Sequence, residues 1–327
     1  MTATRIVRVR DDGPLAEPFR GAVVAIGNFD GVHRGHQTVL GVARDEAEAS
    51  GRPLVVLTFE PHPRSVFSPD RPVPRLTPAR LKARLFEALG VSAVVEQGFD
   101  RAYASLPAEG FVARTLVERL GAGHVVVGFD FCFGAKRSGN AVVLREAGER
   151  HGFGVSVVEA FSDGTAGVVS SSRIRAALGE GAVEDAAALL GYRFSVEGRI
   201  GHGAKLGRTL GYPTANMELP FPELLAHGIY AVRLRRADGT LYDGVASYGR
   251  RPTFDDGAPL FETYLFDFSG ELYGEDVRVS IVSRLRGEER FDSAEALVEQ
   301  MDRDAVRARD VLASVRPLSA LDRAIAF

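Results

Sequence analysis

The chain has 327 residues, 45% of them hydrophobic and 25% charged, a balance typical of a globular protein long enough for two domains. The formal net charge of −3 excludes an overall field that attracts nucleic acid or an anionic membrane. The single cysteine, Cys132, excludes an intrachain disulfide and a cysteine-based metal cluster. Residues 1–10 contain no apolar signal segment, so we expect a cytoplasmic protein without membrane or nucleic-acid partners. The sequence does not decide whether the chain forms a homo-oligomer.

Residues 21–160 alternate between apolar strand-like segments and helix-like segments. The predicted strands are 22–26, 54–59, 92–96, 124–128 and 154–159, and the predicted helices are 36–49, 78–89, 107–120 and 141–151. Continuous apolar strands separated by helices indicate parallel pairing with both faces of the sheet covered. The N-terminal half is therefore predicted to be a Rossmann-like α/β domain with a parallel sheet.

The first candidate site is the segment 27–37, which reads G-N-F-D-G-V-H-R-G-H-Q between a predicted strand and a predicted helix. In an open α/β sheet, phosphate groups bind at such a turn, facing the helix N-terminus. His33 and His36 are three residues apart, so both imidazoles can face one ligand and donate hydrogen bonds to phosphate oxygens. A glycine-rich turn with two solvated histidines is the alternative, and the added presence of Asp30 and Gly31 disfavours it.

This segment resembles the H-x-G-H signature of the nucleotidylyltransferase superfamily. Its extended form, G-x-F-D-G-V-H-x-G-H, resembles the adenylyltransferase half of the bacterial bifunctional riboflavin kinase/FAD synthetases. The resemblance implies that His33 and His36 are catalytic. The nucleotide-binding residues that it implies in the same segment are Gly27, Asn28, Phe29 and Asp30.

Two further loops follow predicted strands. Residues 60–64 read E-P-H-P-R, and their prolines stiffen the loop around His62. An exposed histidine in such a turn usually has no function, but the loop resembles the family's T-F-[DE]-P-H-P segment, which implies a contact between His62 and the nucleotide or flavin. Residues 128–140 read G-F-D-F-C-F-G-A-K-R-S-G-N, which suits a planar ring together with phosphate. This loop also resembles a family loop and gives as candidate ligand residues Asp130, Lys136 and Arg137. Its phenylalanines fit packing equally well.

Residues 168–175 read V-V-S-S-S-R-I-R and open a helix. One interpretation is that the serine hydroxyl groups simply cap the start of the helix. Here arginines accompany the free N–H groups, which favours an anion site. The segment resembles the family's I-S-S-T-x-I-R signature, which implies that Ser171, Ser172 and Arg175 bind the triphosphate of ATP. The resemblance also implies that Arg175 is catalytic and that all three residues stabilise the charge that spreads during the transfer. Ser172 stands where the family usually has threonine.

After residue 192 the pattern changes to alternating strands without intervening helices. The predicted strands of this half are 194–200, 228–234, 241–247, 260–268 and 277–282. This pattern predicts an antiparallel β-barrel. An apolar stripe over residues 297–312 predicts a C-terminal helix that starts at Ser293. We place the domain boundary between residues 182 and 183, which gives domains 1–182 and 183–327.

The second candidate site is the run 198–216, G-R-I-G-H-G-A-K-L-G-R-T-L-G-Y-P-T-A-N. So many glycines suggest backbone wrapped around phosphate. The alternatives are a glycine-rich hairpin and a β-turn, which residues 213–216 taken alone would favour. In an extended segment the oxygens of Thr214 and Asn216 face one side, where they can hold Mg²⁺. The run resembles the riboflavin kinase signature G-x-V-x-x-G-x-x-x-G-R-x-L-G-x-P-T-A-N. Its candidate ligand residues are Gly198, Gly203, Lys205, Gly207, Arg208 and Pro213.

Glu262 alternates with apolar residues in a predicted strand and can point into the barrel or its mouth, although a solvent-facing position is the simpler interpretation from the residues alone. The surrounding sequence resembles the family pattern E-x-H-x-x-D-F, which implies that Glu262 is the general base of the kinase. Tyr264 replaces the usual histidine, which leaves the base intact and changes the local hydrogen bonding.

The family resemblance covers nearly the whole chain and implies a bifunctional enzyme. One reaction phosphorylates riboflavin with ATP and Mg²⁺ to give FMN, and the other adenylylates FMN with ATP to give FAD and pyrophosphate. Two alternatives stay open. One is a nucleotidylyltransferase for another substrate, such as phosphopantetheine, fused to an unrelated barrel. The other is a flavin-binding sensor. A tRNA synthetase is disfavoured because its lysine-rich second signature is missing from a chain with three lysines.

Overall fold

The computed structural model describes residues 6–10, 12–162, 164, 167–202, 211–219, 221, 224–250 and 259–327. The chain forms two compact units, Met1–Ser170 and Ser171–Phe327. The domain boundary predicted between residues 182 and 183 stays a prediction.

The first unit contains a six-stranded parallel sheet with the strand order β1-β4-β3-β2-β5-β6. Its strands are β1 (Val7–Val9), β2 (Val23–Ile26), β3 (Leu54–Glu60), β4 (Ala93–Gly98), β5 (His124–Gly128) and β6 (Gly154–Val158). The central strands are runs of valine, isoleucine and leucine that are buried on both faces, which confirms the predicted Rossmann-like architecture. Strand β1 was not predicted, because it is a three-residue edge strand in which arginine interrupts the apolar pattern.

Helices cover both faces of this sheet. They are α1 (Arg34–Ser50), α2 (Pro63–Phe67), α3 (Ala79–Ala88), α4 (Arg101–Ala104), α5 (Ala108–Phe111) and α6 (Ala141–His151). The predicted helix 107–120 is α5 followed by a π-helical stretch, Val112–Arg119. Helix α1 ends at Gly51, whose left-handed conformation (φ 65°) suits glycine.

The carboxyl ends of the central strands meet at one edge of the sheet. Ile26 at the end of β2 is in register with Leu57 on β3 and with Val127 on β5. The chain adds β3 on one side of β2 and later adds β5 on the other side. The strand order therefore reverses between β2 and β5. Ligands of open α/β sheets bind at such a switch point, and the loops that follow all three strands gather there.

The second unit contains a six-stranded antiparallel sheet with the order β7-β12-β9-β10-β11-β8. Its strands are β7 (Ser195–Arg199), β8 (Thr214–Glu218), β9 (Gly228–Arg235), β10 (Leu241–Gly249), β11 (Leu260–Leu265) and β12 (Asp276–Arg286). A bridge between Gly201 and Asn216 brings the two ends of the sheet together, with Gly201 N donating to Asn216 O at 2.9 Å. The sheet is therefore a nearly closed barrel, as predicted.

Within the described residues of the second unit, the helices are α7 (Ser171–Glu180), α8 (Val183–Leu190), α9 (Ala294–Ser314) and α10 (Ala320–Ala326). Helix α9 is the predicted C-terminal helix, and the side chain of Ser293 caps it by accepting a hydrogen bond from Ala296 N at 3.1 Å. It buries Ala308 and Leu312 against the barrel. Helix α10, which has seven residues, was not predicted. In the described part of the chain, no helix has the length and apolar character needed to cross a bilayer.

Candidate functional site

His33 and His36 lie together where β2 leads into α1. His33 is the N-cap residue of the helix, and its Nδ1 accepts a hydrogen bond from the backbone N–H of His36 at 3.3 Å. The two rings stack with centroids 3.6 Å apart and planes 16° from parallel. The edge of Phe29 packs against His36 at 5.2 Å between centroids. Both imidazoles are thus fixed at a helix N-terminus, on the ligand-binding edge of the sheet.

The surroundings of His36 favour a neutral imidazole. Burial, followed by the neighbouring His33 and Lys82, lowers the pKa of His36 well below its ordinary value. Its Nδ1 atom is buried and has no hydrogen-bond partner among the described residues. Buried polar atoms normally have partners, so an atom of this kind is suited to meeting a ligand.

The loop between β2 and α1 has a strained backbone. Phe29 and Val32 have positive φ angles, 49° and 38°, which non-glycine residues rarely adopt. Gly27 lies close to Phe29, because a Cβ at the glycine position would be 3.2 Å from the ring of Phe29, a tight contact. Such strain persists only where the surrounding contacts hold it, and it concentrates at functional sites.

Asp30 supplies some of these contacts. Its carboxylate is buried, accepts hydrogen bonds from the backbone N–H groups of Thr77 (3.1 Å) and Leu76 (3.3 Å), and lies 3.6 Å from Arg75 Nε. These contacts hold the loop to residues 75–77. A role of Asp30 in nucleotide binding stays a prediction.

A group of buried and half-buried charges beneath this loop was not predicted from the sequence. Lys82 Nζ lies 2.9 Å from Glu60 Oε1, and it donates to Thr58 Oγ1 at 2.9 Å and to Asn28 O at 3.2 Å. Arg75 donates two hydrogen bonds of 2.8 Å to the Glu60 carboxylate. Burial alone would raise the pKa of Glu60, but the hydrogen bonds from Arg75 and the charge of Lys82 lower it to about 2.

A sequence signal for this group existed in helix α3. Lys82 is 1% exposed and lies among the buried residues of the helix. The other buried residues of α3 are Leu81, Ala83, Leu85 and Phe86. A lysine within an apolar helical pattern needs a charged or polar partner, but the pattern does not say which one.

The other predicted loops of the first unit follow β3 and β5. His62 is buried and caps α2, with its Nδ1 accepting from Arg64 N at 3.2 Å. Asp130 is exposed, as are Lys136 and Arg137, which have φ angles of 54° and 59°. The loop phenylalanines divide between packing and exposure. Phe133 is buried in the core, and Phe129 is 48% exposed.

The predicted triphosphate residues lie at the start of the second unit. Ser171 and Ser172 form the first turn of α7, and Arg175 follows on the next turn. Ser172 is exposed, while Ile174 packs into the interior.

In the barrel, cross-strand register brings the predicted kinase residues together. Glu262 on β11 is opposite Asn216 on β8, and Tyr264 is opposite Thr214. Paired residues of an antiparallel sheet share a face, as do residues two apart on one strand. Glu262, Asn216 and Thr214 therefore lie on one face. Asn216 is buried, and Glu262 is half-buried.

Tyr264, which replaces the family's histidine, packs rather than faces solvent. Its ring lies 4.7 Å from that of Tyr212. The hydroxyl of Tyr212 in turn donates to Asp302 on α9. On this side of the site, the two tyrosine rings are therefore in contact with each other and linked to α9.

The remaining predicted residues of the barrel site are divided between the described and undescribed parts of the chain. Gly198 lies on β7, where a Cβ would be 2.4 Å from Met217 Sδ, so strand packing requires this glycine. Pro213 is exposed directly before β8. The predicted phosphate-binding residues that lie outside the described residues are Gly203, Lys205, Gly207 and Arg208.

The first unit is of the nucleotide-binding α/β class, with two imidazoles and a helix N-terminus at its switch point, and the second is a barrel with its own polar site. Comparison with known families gives the same division into two parts. Residues 16–173 match the FAD synthetase family model, and residues 190–312 match the riboflavin kinase model.

Relatives match over nearly their whole length. The bifunctional riboflavin kinase/FMN adenylyltransferase of Escherichia coli K12 is 38% identical over 301 residues, covering 92% of this chain and 96% of the relative. The protein of the same description from Pseudomonas fluorescens is 42% identical, with 91% and 96% covered. The chain belongs to this family of bifunctional riboflavin kinase/FMN adenylyltransferases, which confirms the predicted family and both predicted enzyme activities.

A solved structure shows the same fold. A Streptococcus pneumoniae protein described as a macrolide-efflux protein aligns with a TM-score of 0.82 and 32% sequence identity, covering 95% of this chain and 100% of that one. Its description as an efflux protein applies to that chain.

Proposed function

We propose that the two reactions are divided between the two predicted domains. The barrel domain, 183–327, transfers the γ-phosphoryl group of ATP to riboflavin, giving FMN and ADP. The N-terminal domain, 1–182, joins FMN to the adenylyl group of ATP, giving FAD and pyrophosphate. The cytoplasmic location stays a prediction, and a homo-oligomer stays open.

For the kinase reaction, Glu262 is the general base. The 5′-hydroxyl oxygen of the ribityl chain attacks the γ-phosphorus, and the hydroxyl proton moves to the Glu262 carboxylate. The bond between the γ-phosphorus and the bridging oxygen breaks, and its electron pair leaves with ADP. The observation that carries this assignment is the register that sets Glu262 opposite Asn216, on the face it shares with Thr214.

The residues of this face fit Mg²⁺. Thr214 and Asn216 offer oxygen ligands, the donor type that a hard cation prefers, and Asn216 is buried. When bound, Mg²⁺ neutralises charge on the phosphates of ATP. From the sequence signature, the residues that would hold those phosphates are Gly198, Gly203, Lys205, Gly207, Arg208 and Pro213.

For the adenylyl transfer, an oxygen of the FMN phosphate attacks the α-phosphorus of ATP. The bond from the α-phosphorus to the bridging oxygen breaks, and pyrophosphate leaves with the electron pair. No proton abstraction is needed because the attacking phosphate is already an anion. His33 and His36 stabilise the charge that spreads over the phosphate oxygens. This role is supported by the Nδ1 atom of His36, which has no hydrogen-bond partner within the described part of the chain.

The other residues of this reaction are assigned from the sequence signatures. Ser171, Ser172 and Arg175 hold the triphosphate and stabilise the charge that spreads during the transfer, with Arg175 as a further catalytic residue. The FAD synthetase match ends at residue 173 and so includes both serines. The residues proposed to contact the nucleotide or flavin are Gly27, Asn28, Phe29, Asp30, His62, Asp130, Lys136 and Arg137.

Chromatographic separation of flavins tests this division. Purified protein is incubated with riboflavin, ATP and Mg²⁺, beside the variants His36→Ala and Glu262→Ala. We expect FAD from the wild type, accumulation of FMN with His36→Ala, and unchanged riboflavin with Glu262→Ala. When FMN is supplied, Glu262→Ala should still form FAD. Formation of FAD by His36→Ala at the wild-type rate would contradict the assignment.

A further inference from the structure

Lys82 connects three segments beneath the proposed adenylyl-transfer site. Its ammonium group reaches the carbonyl of Asn28 in the loop after β2, and the hydroxyl of Thr58 and carboxylate of Glu60 on β3. Lys82 itself belongs to α3. A buried lysine is costly unless it is paired and hydrogen-bonded, and here all three contacts are charged or polar.

The loop that Lys82 contacts carries the strained residue Phe29. Asn28 precedes Phe29, whose ring packs edge-on against His36 and against Phe86 of α3. The hydroxyl of Thr58 also donates to the carbonyl of Asn28 at 3.1 Å. The carbonyl of Asn28 is therefore held by two donors from different segments, immediately before the residue that fixes one edge of His36.

We propose that Lys82 is a positioning residue for adenylyl transfer, which acts on His36 through the backbone of Asn28 and the ring of Phe29. This inference rests on the proposed role of His36. Without the ammonium group, the carbonyl of Asn28 keeps only the hydroxyl of Thr58, and Phe29 loses part of what holds its left-handed conformation. Small displacements of groups around a reacting centre have large effects on turnover.

Lys82 also affects His36 through its charge. The charged or titratable groups that influence His36 are His33 at the N-cap of α1 and Lys82 on α3, and each lowers the pKa of His36 in addition to burial. Removal of the ammonium charge therefore raises the pKa of His36. A residue that served only the stability of the fold would not shift this titration.

The test compares Lys82→Met with Arg84→Met, a control at an exposed position of the same helix. Steady-state kinetics of FMN adenylylation with supplied FMN and ATP are measured in the full chain, and NMR follows the imidazole titration of His36. For Lys82→Met we expect kcat to fall at least about tenfold with little change in KM, and the pKa of His36 to rise. Arg84→Met should match the wild type. An unchanged kcat, or an unshifted pKa of His36, would overturn the proposal.

Thr58→Val provides a second variant if Lys82→Met does not fold. Valine keeps the branched shape but removes the hydroxyl between Lys82 and Asn28, so we expect kcat to fall about threefold or more. Wild-type turnover by Thr58→Val would then sink the inference. His36→Ala separates the two proposals. If that variant loses adenylylation while Lys82→Met keeps it, only the positioning role fails, whereas normal turnover by His36→Ala removes the basis of both.

Discussion

The two units build their sites by different means. In the first, buried and half-buried charges lie directly beneath the site loop, and the contacts among Asp30, Glu60, Arg75 and Lys82 hold that loop in place. In the barrel, the candidate residues are set side by side by strand register. The buried ion pairs of the barrel join other elements. Arg193, just before β7, pairs with α10, and β12 pairs with α9 through Arg286 and Asp304.

The comparison indicates how each site responds to change. Where the same charges hold the fold and shape the site, a substitution alters stability and turnover together. Where register places the site, ion pairs can be removed at a cost to stability, while a substitution on the shared face affects turnover alone. Three predictions test this difference.

The largest expected effect is on the stability of the barrel unit. Asp322 is fully buried, accepts hydrogen bonds from Arg193 N and Leu318 N at 2.8 Å each, and pairs with the Arg193 guanidinium. Asp322→Ala leaves that cation buried without its partner and should lower the unfolding free energy by about 3–5 kcal/mol. Urea unfolding followed through riboflavin kinase activity measures this loss. Asp310→Ala, at an exposed position of α9, should stay within about 0.5 kcal/mol of the wild type. Equal midpoints for the two variants would show that the pair does not stabilise the barrel.

The next effect is the pH dependence of stability in the first unit. The pKa of Glu60 is about 2 in the folded chain against 4.5 for an unperturbed glutamate. Because the folded pKa is depressed, the stabilisation is complete above pH 4.5 and is lost as pH falls towards 2. It amounts to about 3 kcal/mol.

Urea unfolding followed by circular dichroism between pH 5 and about 2 tests this expectation. The unfolding free energy of the wild type should fall more steeply with pH than that of Glu60→Gln, which cannot titrate. Glu48→Gln, at an exposed position of α1, should follow the wild type. Parallel curves for the wild type and Glu60→Gln would show that Glu60 does not link protonation to folding.

The smallest of the three effects concerns turnover in the barrel. Asn216→Leu keeps the backbone bridge to Gly201 and a similar side-chain volume, but it removes the proposed metal ligand. We expect kcat of riboflavin phosphorylation to fall about a hundredfold. The Mg²⁺ concentration needed for half-maximal activity should rise. Adenylylation of supplied FMN on the same chain is the control and should not change. Comparable loss of both activities would contradict a site set by register alone.

The sequence predicted the classes of both sheets because each rests on a local pattern. Apolar runs such as Val125–Val127 are typical of buried parallel strands, and the alternation in residues 260–268 is typical of a barrel strand. The edge strand β1 is short and broken by Arg8, and α10 has seven residues, so neither gives a strong periodic signal.

The contacts that connect distant segments could not be predicted in the same way. The helical pattern places Lys82 on a buried face, but its partners come from β3 and from the loop after β2. The register that pairs Glu262 with Asn216 depends on how two strands align, which neither strand specifies by itself. The candidate residues were therefore found by their motifs, whereas the groups that support them required the fold.

Asn216 has a further consequence for the barrel. Its backbone carbonyl accepts the hydrogen bond from Gly201 that joins the two ends of the sheet, while its side chain is proposed to bind Mg²⁺. A metal–nucleotide complex held by that side chain would act as a staple at the seam of the barrel. Because a ligand that binds only the folded form stabilises it, the substrate of the kinase would also help to keep the barrel closed.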